Sequence, residues 1–462
     1  MGCACRALDR PDPLSEVRQM AHEHLDRWLD QMAPLFERER PPSLFELSRF
    51  FTQTRTTLLG GCLQALTEEL HAHSLEQTQI GCPSCGKRLN RKRVDKKRIH
   101  TLQGPFTLER PYFHCEDCHR GYHPADEALE LSRAFHQYDI EEKVLKLATE
   151  MPYARAAELV SDLTGVAVSD HQGHDCLGRI VELADLETVI PDQSEIERRI
   201  EQAKSAPDER PLLVVALDGA HVPTRPRARR NAKRGQGKWR ESKGVRLYLA
   251  PTEGRILQIA SWHQIQDAEA MRADLQRIAA RIPQQALRIA LLGDGAAWVW
   301  NTLQACFPEG RQVLDYYHCS AHLHALAESH FDDPVQATQW VEATLARLSQ
   351  ERVSDVIGGL RRMLPRSATD FDEIEKLITY LGHQRGRLGY DACKQQGLPL
   401  GSGGIESANK FIGHVRLKRS GAWWVVENGN AMLRLRCAMY NGTLERVFEK
   451  YRRLRQKGLG TN

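Results

Sequence analysis

Two acidic residues follow apolar runs in the middle of the chain. Asp218 comes after the uncharged run Pro211–Leu217, and Asp294 closes a second, mostly apolar run that begins at Ala286. Such runs are typical of strands covered on both faces, so both carboxylates are predicted to lie at strand ends. Because Asp-Gly also ends strands simply as turn chemistry, the pair becomes a candidate metal site only with a third acid.

The third acid is Glu406, within the glycine-rich segment Gly401-Ser-Gly-Gly-Ile-Glu406. A helix is predicted to begin near this glutamate, which then projects from the first turn. One face of that helix is predicted to comprise Ile405, Ala408, Ile412 and Val415. A glutamate there can also be only a partner of the helix dipole or of Lys410. Together, the three carboxylates suit two Mg²⁺ ions, with Mn²⁺ as a substitute, because these ions prefer oxygen ligands.

A smaller polar cluster follows the last predicted strand. Asp315, His318 and His322 have a helical spacing that could hold a metal, and His318 next to Cys319 could indicate a thiol nucleophile. The favoured interpretation is that Asp315 and His318 line the rim of the carboxylate site.

Four cysteines form two Cys-x-x-Cys pairs, with 29 residues between the inner two. They are Cys82, Cys85, Cys115 and Cys118. Four thiolates leave no open position on a tetrahedral Zn²⁺, so the pattern predicts a structural zinc ribbon. Between the pairs, Arg98–Leu102 and Phe106–Phe113 are predicted to form a hairpin across Gly104-Pro105.

Basic residues are concentrated in two stretches, although the formal net charge is only +4. Residues 87–98 hold eight Lys or Arg and one acid, and residues 225–246 hold ten and one. Such stretches favour double-stranded DNA as a partner, although solvated loops can also be basic. After Glu406, further bases mix with Trp423-Trp424, and aromatic faces accept unstacked bases. The predicted DNA-binding residues are Arg227, Arg229, Arg230, Lys233, Arg234, Lys410, Arg416, Lys418 and Arg419.

The order of predicted elements indicates an α/β ribonuclease-H-like domain. Strands are predicted at 212–218, 245–250, 255–261, 287–293 and 311–316, with helices at 267–281 and 297–306. Three strands joined as hairpins and two reached through helices describe a mixed sheet in which the first and fourth strands are neighbours. Ligands of open α/β sheets bind where the strand order reverses, which is where Asp218 and Asp294 would meet.

The 462 residues suggest several domains. They are predicted as a helical N-terminal region at 1–78, a zinc ribbon at 79–125, a helical domain resembling a helix-turn-helix at 126–205, and the first part of the catalytic domain at 206–319. They are followed by an all-helical insertion at 320–397. The catalytic domain then ends with residues 398–462, which contain Glu406 and a basic tail. A recognition helix for DNA is predicted at roughly 170–184, although helical bundles contain similar turns.

No apolar run approaches the roughly 20 residues that span a bilayer, so a cytoplasmic protein is expected. The twelve cysteines are therefore expected to be metal ligands and core thiols rather than disulfides.

These motifs resemble bacterial insertion-sequence transposases of the ISKra type over about residues 80–445. The resemblance is carried by the paired cysteine knuckles, Leu217-Asp218-Gly219, Gly293-Asp294-Gly295-Ala-Ala-Trp298, Leu314-Asp315-x-x-His318 and Gly401-Ser-Gly-x-x-Glu406-Ser. It implies an Asp-Asp-Glu enzyme associated with the nucleoid, with Asp218, Asp294 and Glu406 as catalytic Mg²⁺ ligands. The implied reaction is cleavage of element ends followed by transfer of the freed 3′-OH to target DNA, by a homodimer or larger assembly when two ends are synapsed.

Two alternatives stay open. One is a metal nuclease of the same fold that cuts and never joins DNA. The other is a non-enzymatic regulator that binds DNA through the zinc ribbon and the helix-turn-helix, although retention of the three acids argues against it.

Overall fold

The computed structural model describes residues 13–227, 236–250 and 255–457. The chain divides into two compact units, one made of Met1–Ile180 with Phe448–Asn462 and the other of Val181–Val447. Residues 181–205, predicted to belong with the preceding helices, therefore fold with the second unit. Across the described ranges, no helix is both long and apolar enough to cross a membrane.

The first unit begins with helices, as predicted. They are α1 (Pro13–Asp30), α2 (Ala33–Phe36), α3 (Leu44–Leu70) and α4 (Ala72–Leu75). Ser43 and Glu46 form a capping box at the start of α3, which satisfies backbone N–H groups that the helix itself leaves free.

Short antiparallel strands follow. They are β1 (Gln79–Gly81), β2 (Arg88–Asn90), β3 (Arg93–Thr101), β4 (Gly104–Cys115) and β5 (Arg120–Tyr122), before the short helix α5 (Pro124–Ala128). Strand β3 pairs with β4, which confirms the predicted hairpin. Thr101 pairs with Gly104, so the turn lies at Leu102 and Gln103 rather than at Gly104-Pro105.

Three helices complete the first unit in the predicted order. They are α6 (Tyr138–Glu150), α7 (Tyr153–Thr164) and α8 (Asp170–Ile180). Gly165 ends α7 in the left-handed conformation, with φ +75°, and Ser169 and Gln172 cap α8 reciprocally. Glu141, buried in α6, accepts hydrogen bonds from Arg179 and from the hydroxyl of Tyr451. The helices are thus fixed by a buried ion pair as well as by apolar packing.

The second unit opens with α9 (Leu186–Val189) and α10 (Gln193–Gln202) and contains one five-stranded sheet. Its elements are β6 (Leu212–Thr224), β7 (Lys238–Ala250), β8 (Leu257–Gln264), α11 (Ala268–Ala279), β9 (Arg288–Gly293), α12 (Ala297–Cys306) and β10 (Arg311–Leu314). The strand order is β10-β9-β6-β7-β8. The three strands β6, β7 and β8 are antiparallel, whereas β9 and β10 run parallel to β6. As predicted, the first and fourth strands of this sheet are neighbours.

Strand β6 does not stop at Asp218, contrary to the prediction. It continues to Thr224 because residues 219–224 keep pairing with residues 238–243 of β7. Its parallel pairing with β9 ends at Ala216. Asp218 therefore lies inside β6, where the strand still pairs with β7. It is two residues beyond the end of the pairing between β6 and β9.

A helical region follows β10, as predicted for the insertion. It comprises α13 (Tyr316–His330), α14 (Pro334–Ser349), α15 (Val353–Leu360), α16 (Ala368–His383) and α17 (Tyr390–Gln395). The segment with Glu406 then forms α18 (Gly403–Ala408), a π-helical stretch (Asn409–His414) and α19 (Val415–Leu417). The last helices are α20 (Val426–Asn441) and α21 (Leu444–Lys457).

Candidate active site and metal centre

The carboxylate of Asp218 is half-buried beside the end of β9. One oxygen, Oδ2, accepts a hydrogen bond of 2.7 Å from Nδ2 of Asn409, and Oδ1 accepts one from its neighbour's backbone N–H, that of Gly219. Both oxygens are therefore oriented by neutral donors. Within the described part of the chain, this carboxylate makes no ion pair with Lys or Arg.

Negative charge is concentrated around this group. The pKa of Asp218 is raised to about 6, mainly by burial and in addition by the charges of Asp294 and Glu406, although the Gly219 N–H and His318 act in the opposite direction. The three predicted acids thus lie close enough to interact electrostatically. Their ligand atoms do not all lie within 4.8 Å of one another, a spacing that only the four cysteines reach among the described residues.

The loop with Asp294 is held by the helical insertion. Asp294 follows the last residue of β9, and its Oδ1 accepts a hydrogen bond of 3.0 Å from the Ala296 N–H. Nε2 of Gln384, the residue that follows α16, donates to the carbonyl of Gly295 at 2.9 Å, and the hydroxyl of Tyr380 in α16 donates to the carbonyl of Asp294 at 3.4 Å. No chemistry was predicted for the insertion, because nothing in its sequence indicates that α16 returns to this loop.

Asp315 connects two parts of the site. It is buried, and its Oδ1 accepts a hydrogen bond of 2.6 Å from the His318 N–H and caps α13. Its Oδ2 accepts one from the Ser402 N–H. Through these two hydrogen bonds, Asp315 connects the start of α13 to the segment that precedes α18. The neighbouring thiol of Cys319 is unsuited to nucleophilic attack, since burial raises its pKa to about 11.

Glu406 lies exposed in the first turn of α18, as predicted. Its Oε1 accepts a hydrogen bond of 3.2 Å from the hydroxyl of Ser402. The start of the helix is fixed by Arg246 of β7, which donates to the carbonyl of Gly404 at 2.6 Å. A Cβ at Gly404 would come within 2.8 Å of the Tyr248 ring, so only glycine lets the helix approach β7 this closely.

The π-helical stretch changes which residues of this helix are buried. Ile405, Ala408 and Ile412 are buried, but Val415, which was predicted on the same face, is 44% exposed. Arg416 and Leu417 are buried in its place. A π-helical turn includes an extra residue, which rotates everything after it relative to an α-helical frame. The prediction that Val415 shares a face with Ile405, Ala408 and Ile412 was wrong because it assumed an unbroken period of 3.6 residues.

A buried chain of hydrogen bonds supports Asp218, and sequence reasoning missed it. The carbonyl oxygen of Asn409 lies 3.0 Å from Nε2 of His263, while its amide donates to Asp218. Burial lowers the pKa of His263 to about 4, so the ring is neutral near pH 7 and its Nε2–H can donate. Because the Asn409 oxygen accepts from His263, the NH₂ group of the same amide faces the Asp218 carboxylate. The sequence could not predict this contact, because His263 lies in a strand and Asn409 lies in a helix far away along the chain.

The four cysteines of the first unit lie close together. Their sulfurs are all within 4.8 Å of one another, with 3.9 Å between the Sγ atoms of Cys82 and Cys118 and 3.7 Å between those of Cys85 and Cys115. A tetrahedral Zn²⁺ with Zn–S bonds of about 2.3 Å separates its sulfurs by about 3.8 Å. The cluster could therefore hold one zinc ion without rearrangement.

The basic stretch within the four-cysteine segment, residues 87–98, is largely neutralised. Five of its eight bases form ion pairs with acids within 4 Å. They are Lys87, Lys92, Arg93, Lys96 and Lys97. The predicted recognition helix, α8, exposes two acidic residues, Asp170 and Asp175. Such a face repels phosphate, so the helical geometry agrees with the prediction but the charge does not favour DNA contact there.

The predicted DNA-binding residues of the second unit have different surroundings. Arg227, Lys410 and Arg419 are exposed, whereas Arg416 is buried and stacks on Trp424. Lys418 is half-buried, and burial lowers its pKa. The remaining predicted residues lie outside the described ranges; they are Arg229, Arg230, Lys233 and Arg234.

A family model described as "Uncharacterised protein family (UPF0236)" matches residues 44–453. No curated protein matches the chain.

The purified protein is expected to contain about one zinc per chain, measured by inductively coupled plasma mass spectrometry. Cys115→Ser should lose the metal and lower the melting temperature, because three ligands bind zinc more weakly than four. Cys62→Ser changes a thiol of α3 outside the cluster and serves as the control. Equal zinc content in both variants would contradict the assignment.

Asp218→Asn is expected to stabilise the metal-free protein at about pH 8. The folded-state pKa of Asp218 is about 6 against 3.8 for a free side chain, so the charged form opposes folding. The neutral Asp218 side chain therefore contributes its full stability below the pKa of the unfolded state, and this contribution is lost as the pH rises through about 6. The gain should reach at most about 3 kcal/mol at about pH 8 and be much smaller at about pH 4.

The measurement is the melting temperature of wild type and variant at both pH values without added divalent metal. Asp372→Asn, on the exposed surface of α16, is the matched control. A variant that melts below wild type at about pH 8 would rule out electrostatic strain at Asp218.

Proposed function

We propose that this chain, which belongs to the uncharacterised protein family UPF0236, is an Asp-Asp-Glu DNA transposase of the insertion-sequence type. It would cleave the ends of its element and transfer the 3′-OH to target DNA. The observation that carries the proposal is the accumulation of negative charge from Asp218, Asp294 and Glu406 near the end of β9. Structural carboxylates are normally paired with bases, and a group of acids without bases is typical of a cation site.

The topology of the second unit supports a ribonuclease-H-like fold. Counted in chain order within the sheet, the strands lie in the order 5-4-1-2-3, with the first three antiparallel and the last two parallel to the first. Asp218 is on the first strand, Asp294 directly follows the fourth, and Glu406 is on a helix after the insertion. This distribution of three acids agrees with the arrangement that the resemblance to transposases implies.

The donor set fits Mg²⁺ better than a softer metal. It consists of carboxylate oxygens, which Mg²⁺ prefers, whereas the only described group with thiolate ligands lies in the first unit. In this structure the three carboxylates are too far apart to bind one ion together. This spacing favours two ions, each bound by Asp218 and one of the other two acids. Bound Mg²⁺ would supply the positive charge that activates a water molecule and stabilises the leaving 3′ oxygen.

The surrounding residues fix these carboxylates before any substrate arrives. Asn409 orients Asp218, the backbone of residues 294–296 and α16 fix Asp294, and Ser402 holds Glu406. Preorganised ligands lose little entropy when a cation and a phosphate bind. No covalent attachment of DNA to the protein is needed, since water and then the freed 3′-OH act as nucleophiles.

Substitution of the acids tests the proposal. Asp218→Asn, Asp294→Asn and Glu406→Gln are each expected to lower Mg²⁺-dependent strand cleavage roughly 1000-fold, because several kcal/mol of charge stabilisation is lost. The substrate is a supercoiled plasmid that carries the DNA flanking this gene, and nicked and linear products are quantified on gels. DNA binding, measured by electrophoretic mobility shift, should persist in all three variants.

Glu342→Gln, an exposed acid of α14, is the control and should cleave like wild type. Pre-nicked end oligonucleotides then separate a transposase from a nuclease, because only a transposase joins their 3′ ends to a target plasmid. Wild-type protein that binds DNA but never cuts it would instead support the non-enzymatic regulator.

Asn409→Ala is expected to lower cleavage or Mg²⁺ affinity about 10- to 100-fold, as is usual when a group that orients a metal ligand is removed. The change deletes the 2.7 Å hydrogen bond to Asp218 and leaves all three acids in place. The Mg²⁺ concentration for half-maximal cleavage and the Mn²⁺ affinity by electron paramagnetic resonance are the readouts. Ser407→Ala, an exposed neighbour in α18, is the control, and equal Mn²⁺ affinity and cleavage in both variants would contradict the role.

A further inference from the structure

We propose that Trp239 and Trp423 form a site that stacks an unpaired nucleotide of DNA, beside a basic cleft that binds the adjoining phosphates. The inference rests on the proposed function and deepens it, since it identifies a distorted form of DNA as the preferred ligand. It concerns a surface of the second unit away from the three acids.

The two tryptophans are unusually exposed. Trp239 is 58% and Trp423 is 42% exposed, although burying such a ring is worth several kcal/mol. Their ring centroids lie 6.4 Å apart with the planes inclined at 63°, so the rings meet edge to face. In this arrangement the rings do not cover each other fully, and aromatic surface remains available to a base.

The backbone holds both rings in place. Trp239 is in β7 opposite Pro223 of β6. The segment with Trp423 is bound to the same strand, because the Trp424 N–H donates to the Pro223 carbonyl at 3.1 Å and the Arg225 N–H donates to the Trp424 carbonyl at 2.8 Å. The neighbouring indole of Trp424 donates to the carbonyl of Leu417 at 3.2 Å. Rigid aromatic groups on a fixed backbone lose little entropy on binding, which suits a stacking platform.

Gly237 brings the hairpin close to one of these rings. A Cβ there would lie 2.2 Å from the ring of Trp423, so only glycine allows the backbone to pass. The ring is therefore supported on one side by main chain while 42% of the residue stays open to solvent.

A basic cleft of about 400 Å³ lies beside the tryptophans. Four bases line it against one acid, Glu427. The bases are Arg225, Arg227, Lys238 and Arg240. Its size is within the range of sites that hold small ligands, and its charge favours phosphate. An apolar protein partner would gain nothing from these bases, so the combination of rings and positive charge points to nucleic acid.

The distance to the acids suits one continuous DNA molecule. Thr224, at the edge of the cleft, is six residues beyond Asp218 along β6, which corresponds to about 20 Å of extended strand. At 3.4 Å per base, about six nucleotides cover that span. DNA that places a phosphate at the acids can therefore also place a nucleotide at Trp239 and Trp423, and unpairing there would mark a DNA end or a bent target.

Fluorescence anisotropy with two probes tests the site. One probe is a short fluorescein-labelled duplex, and the other is the same duplex with unpaired thymines at its centre. Without added Mg²⁺, wild type should bind the second probe about 5- to 100-fold more tightly, since stacking contributes about 1–3 kcal/mol per base. Trp239→Ala and Trp423→Ala should bring the ratio of the two affinities close to one, and Trp423→Phe should retain part of it.

Arg240→Gln should weaken both probes equally and flatten the salt dependence, since it removes a phosphate contact and no stacking surface. Phe371→Ala, which removes a half-exposed ring of α16, is the matched control and should keep the wild-type ratio. Equal affinity of wild type for both probes, or an unchanged ratio in both alanine variants with wild-type melting temperatures, would overturn the inference. Because binding is measured without Mg²⁺, these outcomes do not depend on cleavage by the three acids.

Discussion

The half-buried negative charge of Asp218 is the constraint on which the second unit depends. Two further acids raise the cost of that charge, whereas hydrogen bonds from Asn409 and the Gly219 N–H, together with the charge of His318, offset it. A sheet that served only as a scaffold would place apolar side chains here. The fold instead keeps a destabilising group and uses several elements to hold it, a cost that is common at functional sites.

Much of the fold could be predicted because hydrophobic periodicity is strong in the sheet. The run before Asp218 and the run before Asp294 indicated two adjacent buried strands, and these pair in parallel. The lengths of β6 and β7 could not be predicted, because the small or polar residues Gly219, Ala220 and His221 interrupt the apolar pattern of β6. Val415 was misplaced for a similar reason, since a π-helical turn has no local sequence signature.

The individual acids could be predicted, but not the residues that hold them. Asn409 is an ordinary polar position of a helix, and its role depends on His263 and Asp218, which are far away along the chain. Charge counts were misleading in the first unit for the same reason. Four of the eight bases in residues 87–98 pair with acids outside that stretch, so local composition overstated the free positive charge.

The contact between α16 and the Asp294 loop has a consequence for how the insertion can vary. Gln384 and Tyr380 bind main-chain carbonyls, so this clamp does not depend on the side chains at residues 294 and 295. Nor does it involve α14 or α15, which lie between the sheet and α16 in the sequence. Those two helices can therefore lengthen, shorten or acquire new surfaces while the contacts to the Asp294 loop stay in place, which makes them the part of the insertion most open to evolutionary diversification.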